Sequence, residues 1–198
     1  MRLWSIQHSN VWDILKIERR YSCPRGFSIP EEHSELYPTF GTAYEWMRKQ
    51  AMRRIGSPTY RNDNLLWAWY QWNGIKHPKP DLRYKYYCAQ GTYCVLLELE
   101  IPDNKVLLSD FCRWHSVLNQ LHLTKNKNEF DTEDEYNALR TLKSIEYRKK
   151  RSWNHVFDIH KGQYDESWHG EVEKAAIQAV FWEIKLNQVK SVRHFYAR

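Results

Sequence analysis

The sequence predicts an α+β chain, a mostly antiparallel sheet with helices packed outside it. Two observations carry that expectation: apolar and polar residues alternate in several short stretches, and amphipathic helical spacing separates those stretches. The clearest strand is 94–101, where Val95, Leu96 and Leu97 open a continuous apolar run that passes into Glu98-Leu99-Glu100-Ile101, the pattern of a strand with one fully covered face. Pro102-Asp103-Asn104 supplies turn chemistry, and Val106-Leu107-Leu108 resumes an extended segment. Ser109-Asp110 then offers an N-cap for a helix bearing Phe111, Trp114, Val117 and Leu118 on one side.

Taken from its start, the chain alternates Leu3 and Ser5 against Trp4 and Ile6, which predicts a strand over 3–7. A helix follows, capped by Ser9 or Asn10, with Val11, Trp12, Ile14, Leu15 and Ile17 as its apolar side. Residues 24–40 read as loop. Tyr44, Met47, Ala51 and Ile55 recur at helical spacing, with Arg48, Lys49, Arg53 and Arg54 on the other faces and Gly56-Ser57-Pro58 as a stop. That basic helix reads as a solvated surface helix or as a phosphate-binding face. Leu65 to Trp72 is short and aromatic, hence a strand over 65–72 that can pair with 94–101 as an antiparallel ribbon. Residues 126–134 are polar and expected to be mobile. Tyr136, Leu139, Leu142 and Ile145 mark one helix ending in the basic run Arg148-Lys149-Lys150-Arg151, where cations offset the helix dipole. The segment 153–159 has no decisive period. Strands at 177–184 and 188–195 close a chain that shows no internal repeat, and the whole is expected to form one domain.

Composition narrows the function classes. The 198 residues include ten Trp, thirteen Tyr and seven Phe, so aromatic side chains make up 15% of the chain. Such rings serve core packing or stack on planar ligands. A net charge of +6 is compatible with a phosphate-bearing ligand or a nucleic acid. The four cysteines show no Cys-x-x-Cys spacing and no signal peptide is evident, so reduced thiols and a cytoplasmic location are expected. No apolar run approaches the ~20 residues of a membrane helix, and none of the nine histidines sits in a metal-ligand pattern, so neither membrane nor metal is expected. Hydrolase, Walker and dinucleotide-binding Gly motifs are absent.

Three groups carry candidate chemistry. Lys79-Pro80-Asp81-Leu82-Arg83 sets Arg83, a fork suited to pyrophosphate or carboxylate, on a proline-stiffened loop; an Asp81–Arg83 pair that only fixes the loop is the alternative. Asp110 with Arg113, Trp114, His115 and Asn119 combines acid, base and amide, although capping accounts for Asp110 and core packing for Trp114. Gln178 is a polar side chain inside an apolar strand, facing either water at an edge or a cleft.

The words WAWYQW, KPDLR, VLLELEIPDNKVLLSDF with WHSVLN, SWNHVFD and IQAVFWEI resemble, over nearly the whole chain, a family of small bacterial proteins known as domain of unknown function 3841. A more distant likeness is to the ADP-ribosyltransferase-like fold, in which an opening strand and helix, a middle strand like LLELEIP and a closing strand with a catalytic acid surround a nicotinamide dinucleotide cleft. Residues 3–15, 94–101 and 177–192 resemble that order of elements. The resemblance implies NAD as cofactor, with Ser5, Gln7, Trp69, Tyr70 and Arg83 as cofactor-binding candidates and Gln178, Asp110 and His115 as catalytic ones. Two departures qualify it: Ser5 or Gln7 stands where such enzymes often carry His or Arg, and Gln178 stands near the place of the catalytic Glu. A glutamine supplies no charge to a developing oxocarbenium, so Glu183, Asp158 or Asp110 would have to substitute. The alternative is a non-catalytic protein whose basic, aromatic surface binds nucleotide or nucleic acid.

Overall fold

The computed structural model describes residues 1–24, 37–60, 63–85 and 87–198. Its main sheet has six strands in the order β6 (Leu107–Asp110), β7 (Ile177–Phe181), β4 (Leu66–Gln71), β1 (Arg2–His8), β5 (Tyr93–Glu100) and β9 (Val189–Tyr196). Every neighbouring pair is antiparallel, as the alternation predicts. A smaller sheet orders β3 (Asp63–Asn64), β2 (Arg20–Pro24) and β8 (Glu183–Lys185).

Cross-strand partners share a face of a sheet, so the register assigns each side chain to a side. Leu3, Ser5 and Gln7 lie opposite Leu99, Leu97 and Val95. This face packs against Val11 and Leu15 of helix α1 (Ser9–Glu18), with Ala68, Ala179 and Phe181 in the same core. On the other face Trp4 is in register with Trp69, Trp69 with Gln178, and Gln178 with Ser109. Over Leu107 and Val180 on that side lie α2 (Tyr37–Arg54), α3 (Phe111–Leu118) and the 3-10 turn at 153–157, which contribute Met47, Ala51, Trp114, Val117, Trp153 and Val156 to a second core. α2 therefore buries the apolar stripe the sequence shows and turns its arginines outward or onto rings: Arg48 lies over Trp182 and Arg54 over Phe157.

Several local expectations need correction. β4 and 94–101 do not form a ribbon, because β1 is inserted between them and takes β5 in a seven-residue register; the long connection after β4 imposes no hairpin geometry. Strand 177–184 is two strands, since the chain leaves the main sheet at Trp182 and enters the small one as β8. The cap of α1 is His8, whose Nδ1 accepts from the Asn10 N–H, and Ile14 and Ile17 of that helix are exposed. The segment 126–134 carries helix: Asn126 accepts from the Glu129 N–H and Glu129 accepts from the Lys125 N–H, a reciprocal capping arrangement that starts α4 (Lys127–Asp131), followed by α5 (Glu133–Ala138). The helix expected through 136–151 is broken because Thr141 adopts extended backbone and caps α6 (Leu142–Ser152) through the Ser144 N–H. Of segment 153–159, residues 153–157 form a 3-10 turn. Among the described residues no helix is long and apolar enough to cross a membrane. Of the loop expected over 24–40, residues 25–36 lie outside the described residues.

Candidate functional site: a charged groove beside the small sheet

The small sheet exists because two long-range strand partners converge on β2. Arg20 and Ser22 lie opposite Lys185 and Glu183, and Pro24 lies opposite Asp63. Residues at i and i+2 of a strand share a face, so Arg20, Ser22, Asp63, Glu183 and Lys185 all project from one side. The other side carries Tyr21 and Ile184 into the core under α1. One face is thus apolar and anchored, and its reverse is dense with charge.

That charged face borders an open groove of about 500 Å3, lined by Glu18, Arg19, Arg20, Thr59, Glu183, Lys185, Leu186 and Asn187. Arg19 closes α1 in the left-handed region, at φ 61°, where its N–H donates to Leu15 O at 3.1 Å. Gly or Asn usually holds that cap, and an arginine there carries backbone strain of about 1 kcal/mol. The Arg19 carbonyl accepts from Leu186 N–H at 2.8 Å, which pins both rims of the groove together. Arg20 lies over the exposed ring of Tyr60, 5.0 Å from its centre.

Glu183 is held loosely. Thr59 Oγ1 donates to its Oε2 at 3.5 Å, and Lys185 Nζ lies 3.2 Å from its Oε1. Its neighbour Asp63 is 5% exposed, and the Asp63 Oδ2 is buried without a hydrogen-bond partner among the described residues. Burial pushes the Asp63 carboxyl above its ordinary value and the Glu183 carboxylate adds to the push, while a hydrogen bond with Ser22 and the Arg20 and Arg48 guanidiniums pull the other way. Asp63 and Glu183 thus put two carboxylates on one face, one half-buried at the groove and the other buried beside it.

The candidates named from sequence are dispersed. Ser5 is fully buried, its Oγ donating to Trp67 O at 2.8 Å and accepting from Gln7 Nε2 at 2.8 Å. Both lie on the α1 face of the main sheet, whereas Trp69 and Gln178 lie on the opposite face, so the sheet separates the two halves of the predicted cofactor set. Tyr70, half-buried, occupies the bulge of β4 between Trp69 and Gln71 and packs against the α1-side core. Gln178 is 6% exposed; its Nε2 and the Oγ of its cross-strand neighbour Ser109 are both buried without a partner among the described residues. Trp69 meets Phe111 edge-on at 4.7 Å, and Phe111 meets His115 at 4.4 Å, so Gln178, Trp69 and His115 fall along one line of rings. Asp110 caps α3, accepting from Arg113 N–H at 2.8 Å. Arg83 is exposed and clamped on Asp81, with Nη2 to Oδ2 at 2.6 Å and Nε to Oδ1 at 3.0 Å. That clamp holds the Asp81 carboxyl down at about 2, so the loop-fixing role accounts for KPDLR. None of these eight lines the groove.

The family model described as Domain of unknown function (DUF3841) matches residues 2–190. The chain belongs to this family. No curated protein and no solved structure gives a significant match. The match covers the small sheet and the main sheet apart from most of β9, so the DUF3841 unit includes every residue of the groove. Sequence reasoning missed Arg20, Ser22 and Asp63 because strands of two to five residues show no period, and Thr59 because it lies in a bend outside any strand or helix. The available signal was Glu183 itself, the acid that directly follows the apolar run 177–182.

Proposed function

We propose that this DUF3841 protein binds a nicotinamide dinucleotide or related ADP-ribose compound in the groove, with Glu183 as the catalytic carboxylate of an ADP-ribosyl transfer. The observation that carries the reading is the placement of Glu183, a loosely held carboxylate, among Arg19, Arg20 and Lys185 on an open groove. Transfer from such a donor breaks the N-glycosidic bond, and nicotinamide leaves with the bonding electron pair. A carboxylate beside the ribose stabilises the positive charge that develops there and accepts the proton of the incoming nucleophile. Cations along the rim suit the pyrophosphate, Arg by paired hydrogen bonds and Lys as a point charge. The exposed Tyr60 ring beside Arg20 offers a stacking surface for a base. This choice moves the catalytic acid from the neighbourhood of Gln178 to Glu183, five residues on, and replaces Arg83 by Arg19 and Arg20 as the phosphate contacts.

The test is nicotinamide release from NAD by the wild type and Glu183→Gln, with ADP-ribose affinity measured in parallel. Glu183→Gln should lower release by at least 100-fold, within the usual reach of a positioned acid or base, while ADP-ribose affinity is retained. Equal release by both proteins would overturn the catalytic assignment. Binding of a single-stranded oligonucleotide in place of either nucleotide would favour the non-catalytic alternative.

A further inference from the structure

The cysteine pair Cys88 and Cys94 lies apart from the groove and plays no part in the reading above. Cys94 is fully buried near the start of β5, where its backbone is in register with His8 on one side and Phe195 on the other. Cys88 is half-buried on the connection that leads into β5. Their sulfurs are 2.9 Å apart, and both are free thiols. A disulfide requires the sulfurs at ~2.05 Å, so the pair has to close by about 1 Å. The other two cysteines, Cys23 on β2 and Cys112 on α3, are free thiols on separate elements.

Two backbone hydrogen bonds join the end of the connection that carries Cys88 to the residue just beyond β9. Gly91 N–H donates to Ala197 O at 2.9 Å, and Ala197 N–H donates to Thr92 O at 2.9 Å. Upstream of Cys88, Trp72 meets Tyr84 at 5.8 Å and Tyr84 meets Tyr87 at 5.7 Å, and Ile75 N–H donates to Glu173 O at 2.9 Å. A covalent link at residue 88 would add a direct tie from this connection to β5.

We propose that Cys88 and Cys94 form an oxidation site at which a low-molecular-weight disulfide such as oxidised glutathione is converted to two thiols while the protein gains a Cys88–Cys94 disulfide. In the first step the Cys88 thiolate attacks one sulfur of the small disulfide, which leaves one thiolate free and Cys88 in a mixed disulfide. In the second, Cys94 gives its proton to solvent and attacks Cys88 Sγ, which expels the second small thiolate. Both released thiolates take up protons, so two protein thiols and one disulfide become one protein disulfide and two small thiols. The order follows from accessibility and acidity. Cys94 is fully buried; burial first, then its contact with Cys88, pushes its thiol up to about 12, which makes it a poor first attacker.

Both residues lie on one tryptic peptide, 86–105, so mass spectrometry reads the outcome directly. The full-length protein is incubated with oxidised glutathione, then unfolded and alkylated. The expected product is that peptide two hydrogens lighter, unalkylated and reverting under dithiothreitol, with Cys112 carrying glutathione as an accessible reference. Cys94→Ser should retain glutathione on Cys88, and Cys88→Ser should leave Cys94 unmodified and alkylated only after unfolding. The oxidised wild type should melt at a higher temperature than the reduced protein, with no such shift in Cys88→Ser. Wild-type protein that keeps glutathione on Cys88 at plateau, or that leaves both residues open to alkylation, would overturn the proposal.

Discussion

Gln178 gives the sharpest test of how the two faces of the main sheet are used. Its backbone is paired on both sides, to Trp69 of β4 and Ser109 of β6, so a substitution that keeps the strand changes only the side chain. That side chain shares its face with Trp67, Val180 and Leu107, all packed into the α2–α3 core. Its amide nitrogen is buried without a partner among the described residues. A donor in that condition costs about 1–3 kcal/mol of desolvation. Gln178→Met keeps the length of the side chain, removes the amide and adds no volume that the core has to absorb. After allowing for imperfect repacking, the expected net gain is about 1 kcal/mol, or about 2–4 °C in Tm for a chain of this size. Urea denaturation at constant m-value is the assay. A loss of more than about 1 kcal/mol would refute the reasoning, because it would mean that the amide has a partner in solution. A folded variant that no longer binds ADP-ribose would place the ligand on the Trp69 face instead of in the groove.

Other perturbations address the groove and the cores separately. Arg19→Gly relieves the left-handed cap, so it should stabilise the fold by about 1 kcal/mol while weakening ADP-ribose binding; a variant that is less stable would show that Arg19 is not strained. For Asp63 the sign follows from a carboxyl held above its ordinary value: the folded state favours the protonated form, and this contribution is full below the unfolded carboxyl range and is lost as pH rises through the raised value. Asp63→Asn should therefore gain stability relative to wild type between pH 4 and pH 7, and a pH-independent difference between the two would contradict the shift. Trp153 is fully buried, donates from Nε1 to Leu121 O at 2.9 Å and meets Trp46 edge-on at 5.6 Å, so Trp153→Phe should cost at least about 1 kcal/mol through the orphaned carbonyl and the smaller ring, read by the same urea assay.

Much of the architecture was legible because alternation and helical spacing are local signals. Val95 to Leu99 alternates around a continuous apolar run, and Met47, Ala51 and Ile55 repeat every four residues; both elements are present, although α2 begins at Tyr37, inside the stretch read as loop, and ends at Arg54, one residue before Ile55. The site was not legible, for a reason of distance along the chain. Ser22, Asp63 and Glu183 come from strands of five, two and three residues, too short to show a period, and they share a face only because β2 pairs on both sides with remote segments. Register misled in the same way: Ser5 and Gln178 each alternate correctly in their own strands, but only the Trp4–Trp69–Gln178 row reveals that they face opposite sides. Breaks in helices were missed where a side chain competed for the backbone, as Thr141 does at the start of α6.

The location of the ligand is the central claim, and amide chemical-shift mapping during an ADP-ribose titration tests it most directly. The account predicts that Arg19, Arg20, Thr59, Lys185 and Asn187 shift together with one saturating affinity, and that this response is lost in an Arg20→Ala variant whose other resonances are unchanged. Shifts centred on Trp69, Gln178 and His115, with the groove residues silent, would contradict it.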